Sequence, residues 1–169
     1  LRQGMQRLIA LVIWGQSHIY YMHYDNMKAI LTNAFAHDYQ VLALHVDRDM
    51  LARRPLPDIM RSTGAAGAIF MGVTLDKPGL CQLLDQQFPL VHIGERYLPG
   101  KQLPFASGDY YGGGALAAAK LLAAGHTRLG CLVEPNLDVP EISERRAAGF
   151  AAAVKEAGQV AALLSGFDR

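Results

Sequence analysis

The sequence reads as an α/β chain organised around a doubly wound parallel sheet, and three observations predict it. Leu8 to Trp14 (LIALVIW) is a continuous apolar run bounded by Arg7 and Gly15, the signature of a strand buried on both faces of a parallel sheet. Short apolar runs of this kind then alternate with stretches whose apolar residues recur at helical spacing, the pattern of strand–helix–strand units with right-handed crossovers. Gly64, Gly125 and Gly158 each stand just behind such a helical stretch, where a chain leaving a helix in the left-handed conformation favours glycine.

The bulk numbers restrict the function classes. The chain has 169 residues, 51% of them hydrophobic and 18% charged, enough for one sizeable core or for one and a half small ones. Sixteen basic against fifteen acidic residues leave a net charge of +1, and no Lys/Arg run forms a phosphate-binding stripe, so the chain has no nucleic-acid surface of its own. Its apolar runs, Leu8 to Trp14 and Ala115 to Ala119 among them, fall well short of the roughly 20 residues of a membrane span. Leu1 to Arg7 (LRQGMQR) has no apolar core of signal-peptide length. Cys81 and Cys131 show neither CxxC spacing nor a His at ligand spacing, and read as buried thiols in a reducing compartment.

In chain order, Leu8 to Trp14 is the central strand. Gln16 to His23 (QSHIYYMH) leads into a helix carrying Met27, Ile30, Leu31, Ala34 and Phe35 at helical spacing and ending near His37. Val41 to Val46 is the second strand, and Asp47 to Pro57 reads as a loop held open by two prolines. Ile59 and Met60 sit on a short helix stopped by Gly64, and Ala68 to Met71 is the third strand. Asp76 and Pro78 supply a cap and an early proline for a helix with Leu80, Leu83 and Leu84 on one face. Leu90 to Ile93 is the fourth strand, and Gly94 to Pro104 an irregular connection.

The most informative stretch is residues 104–133, PFASGDYYGGGALAAAKLLAAGHTRLGCLV. A short strand reaches Asp109, glycines 112 to 114 let the backbone approach closely, an Ala/Leu helix runs to Gly125, and His126 opens a new strand. This puts Asp109 at the carboxyl end of a strand, where open parallel sheets bind ligands. Glu141 to Gly158 is the last clear helix, with Phe150, Val154 and Ala157 on one face, and Val160 to Leu164 begins another strand.

Asp109, Gly113, Ala117, Leu121, Leu122, Gly125-His126 and Arg128-Leu129 match, without a gap, the pattern D-x-x-x-G-x-x-x-A-x-x-x-L-[LI]-x-x-G-H-x-[RK]-[IL]. In this the chain resembles the effector-binding domain of LacI/GalR-type transcriptional regulators. Leu1-Arg2, Gly67-Ala68-Ile69, Pro89-Leu90-Val91 and Arg146 to Phe150 (RAAGF) extend the resemblance over nearly the whole chain. Two positions depart from the family pattern. Ala66 stands where an aspartate usually precedes the glycine of the third strand, and QSHIYYMH replaces the usual turn after the first strand.

The resemblance implies a periplasmic-binding-protein-like type I fold, with the N-terminal subdomain and the start of the C-terminal one. Residues 1–6 are then a linker from a DNA-binding head outside this chain, 7–125 the N-terminal subdomain, and 126–169 the truncated start of the C-terminal subdomain. It further implies a cytoplasmic, non-enzymatic sensor that binds a small polar effector, a sugar or similar, in a cleft between subdomains. It implies a homodimer that meets DNA only through a helix-turn-helix absent from this chain, without a cofactor, metal or membrane.

Asp109 is the leading site residue, since a carboxylate can accept two hydroxyl hydrogen bonds from a sugar, although it also suits the N-cap of the helix that follows. Arg146 is second, because the resemblance places the arginine three residues before this glycine in the cleft, and its forked donors suit hydroxyls or a carboxylate. After the first strand, Gln16, Ser17, Tyr20, Tyr21 and His23 lie at the mouth where strand order should reverse, and the gapless count adds Met22. An aromatic there stacks on a sugar ring or packs under the first helix.

Other chemistries are less well supplied. The six histidines include no HxxxH pair, His45 and His92 fall inside strands, and His126 suits a cap on the preceding helix's carbonyls. Neither GxxxxGK[ST] nor GxGxxG follows a strand, and no GxSxG elbow is present. Two rival readings stand beside the regulator: a periplasmic sugar-binding protein of an ABC transporter, and a small nucleotide-cofactor α/β enzyme, which would use Asp47 on a ribose.

Overall fold

β1 (Leu8–Trp14) carries Ala10, Leu11, Val12 and Trp14 buried, with neighbouring strands on both sides. In the computed structural model, residues 7–15, 20–72, 76–94, 97–98, 100–133 and 140–165 are described; of residues 20–23, 97, 140–141 and 165 only the backbone is. The elements that follow are α1 (Tyr20–Ala36), β2 (Gln40–Val46), α2 (Arg48–Arg53), α3 (Leu56–Thr63), β3 (Gly67–Met71), α4 (Lys77–Asp85) and β4 (Leu90–Ile93). Then come β5 (Tyr97–Leu98), β6 (Lys101–Gln102), β7 (Phe105–Ala106), α5 (Tyr110–Ala123), β8 (Leu129–Val133), α6 (Pro140–Glu156) and β9 (Ala161–Ser165).

The chain divides into two compact units, Leu1–Ser107 and Gly108–Arg169. The sequence places a boundary after Gly125, whereas the contacts divide at Gly108. α5 packs on α6, and Ala118 of α5 joins Leu129, Phe150 and Val154 in the second unit's core.

In the first unit, five parallel strands run in the order β2-β1-β3-β4-β7 among the described residues. β1 stands second, between β2 and β3, and β3 rather than β1 is the middle strand; strand order reverses across β1, as the sequence predicts. Ala10, Val12 and Trp14 share a core with Leu56, Ile59 and Met60 of α3 and Leu80 and Leu83 of α4, residues spaced to give one apolar face per helix. The helix ends follow the sequence signals. Asp76 caps α4 by accepting the Gly79 N–H at 2.9 Å, and Gly64 closes α3 at φ +67°.

Three local expectations change. Asp47 to Pro57 is not all loop, because the Asp47 carboxylate accepts the Met50 N–H at 2.7 Å and starts α2, a helix with no buried residue and hence no periodicity to read. The Gly94 to Pro104 connection contains the β5–β6 hairpin, which buries Leu98 and Leu103. Lys101 of the hairpin donates to the Cys81 carbonyl at 3.3 Å and pairs with the Asp85 carboxylate, so it ties the hairpin to α4. On α1, Ala34 is buried but Leu31 and Phe35 face outward, Phe35 being 84% exposed.

The second unit is a strand–helix–strand, β8 and β9 running parallel in the register Leu129↔Ala161 to Val133↔Ser165, with α6 between them in sequence and α5 packed on α6. Ala157 is exposed, while Phe150 and Val154 are buried as the spacing predicts. Cys81 and Cys131 are free thiols, half-buried rather than buried. No helix among the described residues is long and apolar enough to cross a membrane.

Candidate functional site

The amino end of α5 gathers the two leading site residues around a third. Asp109 is the N-cap of α5, its Oδ1 accepting the Gly112 N–H at 2.9 Å. Gly112 allows this closure, since a Cβ there would run into the Asp109 carboxylate. The capping role weighed for Asp109 is therefore present. The carboxylate is exposed, and a carboxylate has about four lone-pair positions, so the cap leaves acceptor capacity directed to solvent.

Arg146 stands on α6 with its side chain exposed and its guanidinium over the Tyr110 ring, 4.9 Å from the centroid. Tyr110, the residue after Asp109, thus holds the cation beside the α5 terminus by a cation–π contact. No ion pair joins Asp109 to Arg146 among the described residues. The two helices approach closely because of two glycines. A Cβ on Gly114 would collide with the Arg146 carbonyl oxygen, and one on Gly149 with the Tyr111 carbonyl oxygen. Of the glycine cluster, Gly114 supplies the close packing expected, Gly112 admits the cap, and Gly113 faces open space.

At the other end of α5, the Gly125 N–H bonds to the Leu122 carbonyl at 2.9 Å and the His126 N–H to the Leu121 carbonyl at 3.2 Å, with Gly125 at φ +84°. This is a Schellman cap. The backbone of His126, rather than its imidazole, satisfies the helix.

In the first unit, Gln16 and Ser17 lie outside the described residues, and Tyr20, Tyr21, Met22 and His23 open α1 with side chains that are not described. What is described at the carboxyl end of β1 is the turn itself. Gly15, at φ +72°, gives its carbonyl to His45 Nε2 at 2.6 Å and its N–H to the Val46 carbonyl at 3.2 Å. Trp14 just before it stacks on Phe70, centroids 5.4 Å apart. His92 on β4 is fully buried, and burial, partly offset by a backbone hydrogen bond at Ile93, lowers its pKa from 6.5 to about 4, so it is neutral at pH 7. No group of three or more His, Cys, Asp and Glu among the described residues is placed to hold a metal.

Sequence reasoning missed Tyr110 and Gly149 as partners of this end of α5. The aromatic immediately after a helix-capping aspartate was a readable signal, but the contact depends on how α5 crosses α6.

Residues 7–165 match the family model described as periplasmic binding proteins and sugar binding domain of LacI family. The chain belongs to this family. No curated protein matches it, but solved structures do. A regulatory protein of the LacI family from Chloroflexus aggregans superposes with a TM-score of 0.76 at 23% identity, over 96% of this chain and 59% of that one. Transcription regulator CcpA of Lactococcus lactis gives 0.70 at 18% identity, over 95% and 59%. Transcriptional regulator CelR in complex with cellobiose gives 0.72 at 18%, over 93% and 50%. At these identities the likeness shows the fold. This LacI-type chain spans between half and three-fifths of the length of these structures.

Proposed function

We propose that the chain is the effector-sensing part of a LacI-type transcription regulator, binding a small polar ligand of the sugar class and acting without catalysis. One observation carries the reading: Asp109, Tyr110 and Arg146 stand together at the amino end of α5. They offer a carboxylate acceptor, an aromatic ring and a forked cation, the equipment for binding a hydroxylated ring. Family membership supports a binding role, and the cellobiose in the CelR complex supports the sugar class.

DNA binding through a separate helix-turn-helix, a cytoplasmic location and a homodimer belong to the same proposal. Support for the dimer comes from α1, where Tyr24, Leu31 and Phe35 form an exposed apolar stripe, 67%, 47% and 84% accessible. Effector binding would act by shifting a population between two states, limited by its differential affinity for them.

Calorimetric titration with cellobiose, glucose and galactose tests the proposal. Binding of at least one sugar, weakened about tenfold or more by Arg146→Ala, is expected. No heat from any of the three overturns the sugar class. In the full reading frame, a helix-turn-helix fits the regulator, whereas a signal peptide fits the periplasmic rival.

A further inference from the structure

Among the described residues, β2 forms one edge of the first unit's sheet and β7 the other. The two edges differ. β7 is two residues long, and so short an edge strand offers a second chain little to pair with. β2 runs for seven residues, Gln40–Val46 (QVLALHV). It contains no Lys, Arg, Asp, Glu, Pro or Gly, and so lacks the charges and prolines that ordinarily keep an edge from pairing. Leu42 is 36% exposed, and Ala43 and His45 beside it are exposed as well.

Backbone direction decides which groups of β2 are free. The Gln40 N–H bonds to the Arg7 carbonyl at 2.7 Å and the Val46 carbonyl accepts the Gly15 N–H at 3.2 Å, so both residues turn toward β1. In a strand the N–H and C=O of one residue point to the same side, and successive residues alternate. Leu42 and Leu44 therefore face β1 too, while Val41, Ala43 and His45 turn their N–H and C=O to the open edge. These groups have no backbone partner among the described residues.

We infer that this edge joins two copies of the chain: β2 pairs antiparallel with β2 of a second copy about a two-fold axis at Ala43, so that the two sheets run on as one. The occupant follows from the symmetry of the free set. Ala43 exchanges both its bonds with the partner's Ala43, Val41 with the partner's His45, and His45 with the partner's Val41, so every outward group of the edge is satisfied. An axis at Val41 or His45 would leave part of the edge open. Leu42 comes opposite the partner's Leu44 at a non-hydrogen-bonded position, where Cα atoms are about 4.5 Å apart and side chains are closest, which covers its exposed surface. No like charges meet within the paired strands, since β2 carries no Lys, Arg, Asp or Glu and His45 falls opposite valine. The contact is isologous and closes at two copies. The inference rests on the homodimer reading above and names its contact; α1, which carries the exposed stripe, packs on β2.

The full chain, labelled with ¹⁵N, would be followed by amide hydrogen exchange below and above the concentration at which light scattering reports dimer. The Val41, Ala43 and His45 amides are expected to exchange at least tenfold more slowly in the dimer than in the monomer, whereas those of Leu42 and Leu44, bonded to β1, are slow in both. Ala43→Lys sets two like charges opposite each other across the axis and should raise the dimer dissociation constant at least tenfold, with the far-ultraviolet circular dichroism retained. Should Ala43→Lys fail to fold, exchange in the native chain decides alone. A dimer in which the three amides exchange as fast as in the monomer overturns the inference and leaves the homodimer reading intact. A folded Ala43→Lys chain that dimerises as tightly as the native one overturns the inference as well. A native chain that stays monomeric at hundreds of micromolar removes both.

Discussion

Gly114 of α5 and Gly149 of α6 are reciprocal contacts: each lies against a carbonyl oxygen of the other helix, Gly114 on Arg146 and Gly149 on Tyr111. Both carbonyls belong to residues three positions earlier, so each helix offers one turn of bare backbone to the other. The crossing brings the Arg146 guanidinium to the Tyr110 ring.

Gly149→Ala is therefore expected to force the helices apart and destabilise the second unit by about 1–3 kcal/mol, the cost of overpacking a close contact. Gly113→Ala is the control, because nothing lies within 4 Å of a Cβ there. With no clash and less backbone entropy to lose, it should stabilise by about 0.5–1 kcal/mol. Urea unfolding of the two variants checks both signs. Equal effects would mean that the crossing is not set by these glycines.

Gln87 closes α4 in the left-handed conformation, φ +55°, with its N–H on the Leu84 carbonyl at 2.9 Å. A side chain there costs about 1–2 kcal/mol, and glycine loses about 0.4–1 kcal/mol more unfolded-state entropy. The strain outweighs the entropy, so Gln87→Gly should raise stability by about 0.5–1 kcal/mol. A lower urea midpoint for the variant would contradict this.

How far the fold was legible follows from the range of the signals. LIALVIW, the Asp76 cap and the Gly64 and Gly125 stops act within a turn or a strand, so the sequence carries them openly. The α2 helix was not legible because it buries no residue, and two-residue strands such as β5 and β6 are too short for a period. Phe35 matches the helical spacing and yet faces outward, because periodicity marks an apolar stripe without saying what covers it. At the site, Asp109 was readable as both cap and ligand residue. The Tyr110–Arg146 contact was not, since it depends on a helix crossing between residues far apart in sequence.

His92 gives the first unit a pH dependence. Its folded pKa of about 4 lies below the ordinary 6.5, so between these values the unfolded chain takes up a proton that the folded chain refuses. Stability should thus fall as pH drops from about 6.5 to 4, by on the order of 3 kcal/mol in total, and this contribution levels off below. Above pH 6.5 the residue contributes no slope. His92→Gln should remove roughly one proton from the pH dependence of unfolding across that window. Parallel slopes for variant and native chain would show that another group titrates.

The apolar stripe on α1 predicts self-association. Phe35 is mostly exposed, so Phe35→Glu should leave the melting temperature of the monomer unchanged within about 1 °C, in line with the small effects of surface substitutions. Burying the stripe against a second copy would make that charge unfavourable. Light scattering at tens of micromolar should report dimer for the native chain and monomer for the variant. If both are monomeric, or both dimeric, α1 is not the contact.

Asp109 carries two roles that alanine cannot separate. Asp109→Ala removes the acceptor of the Gly112 N–H and should cost about 1 kcal/mol of stability whatever else the residue does. Asparagine separates them, because its amide oxygen caps a helix about as well as a carboxylate, while the negative charge and half of the acceptor capacity are lost. Asp109→Asn is thus expected to hold stability within a few tenths of a kcal/mol and to weaken, by about tenfold, binding of whichever sugar the native chain takes up. Thermal melts and calorimetry of the native, Asn and Ala chains read both quantities. If Asn keeps full affinity, the carboxylate is a helix cap alone and ligand recognition at this end of α5 falls to Tyr110 and Arg146. If Asn also loses the stability that Ala loses, the charge itself sustains the α5 terminus through the helix dipole, and the affinity change must be corrected for that loss of order.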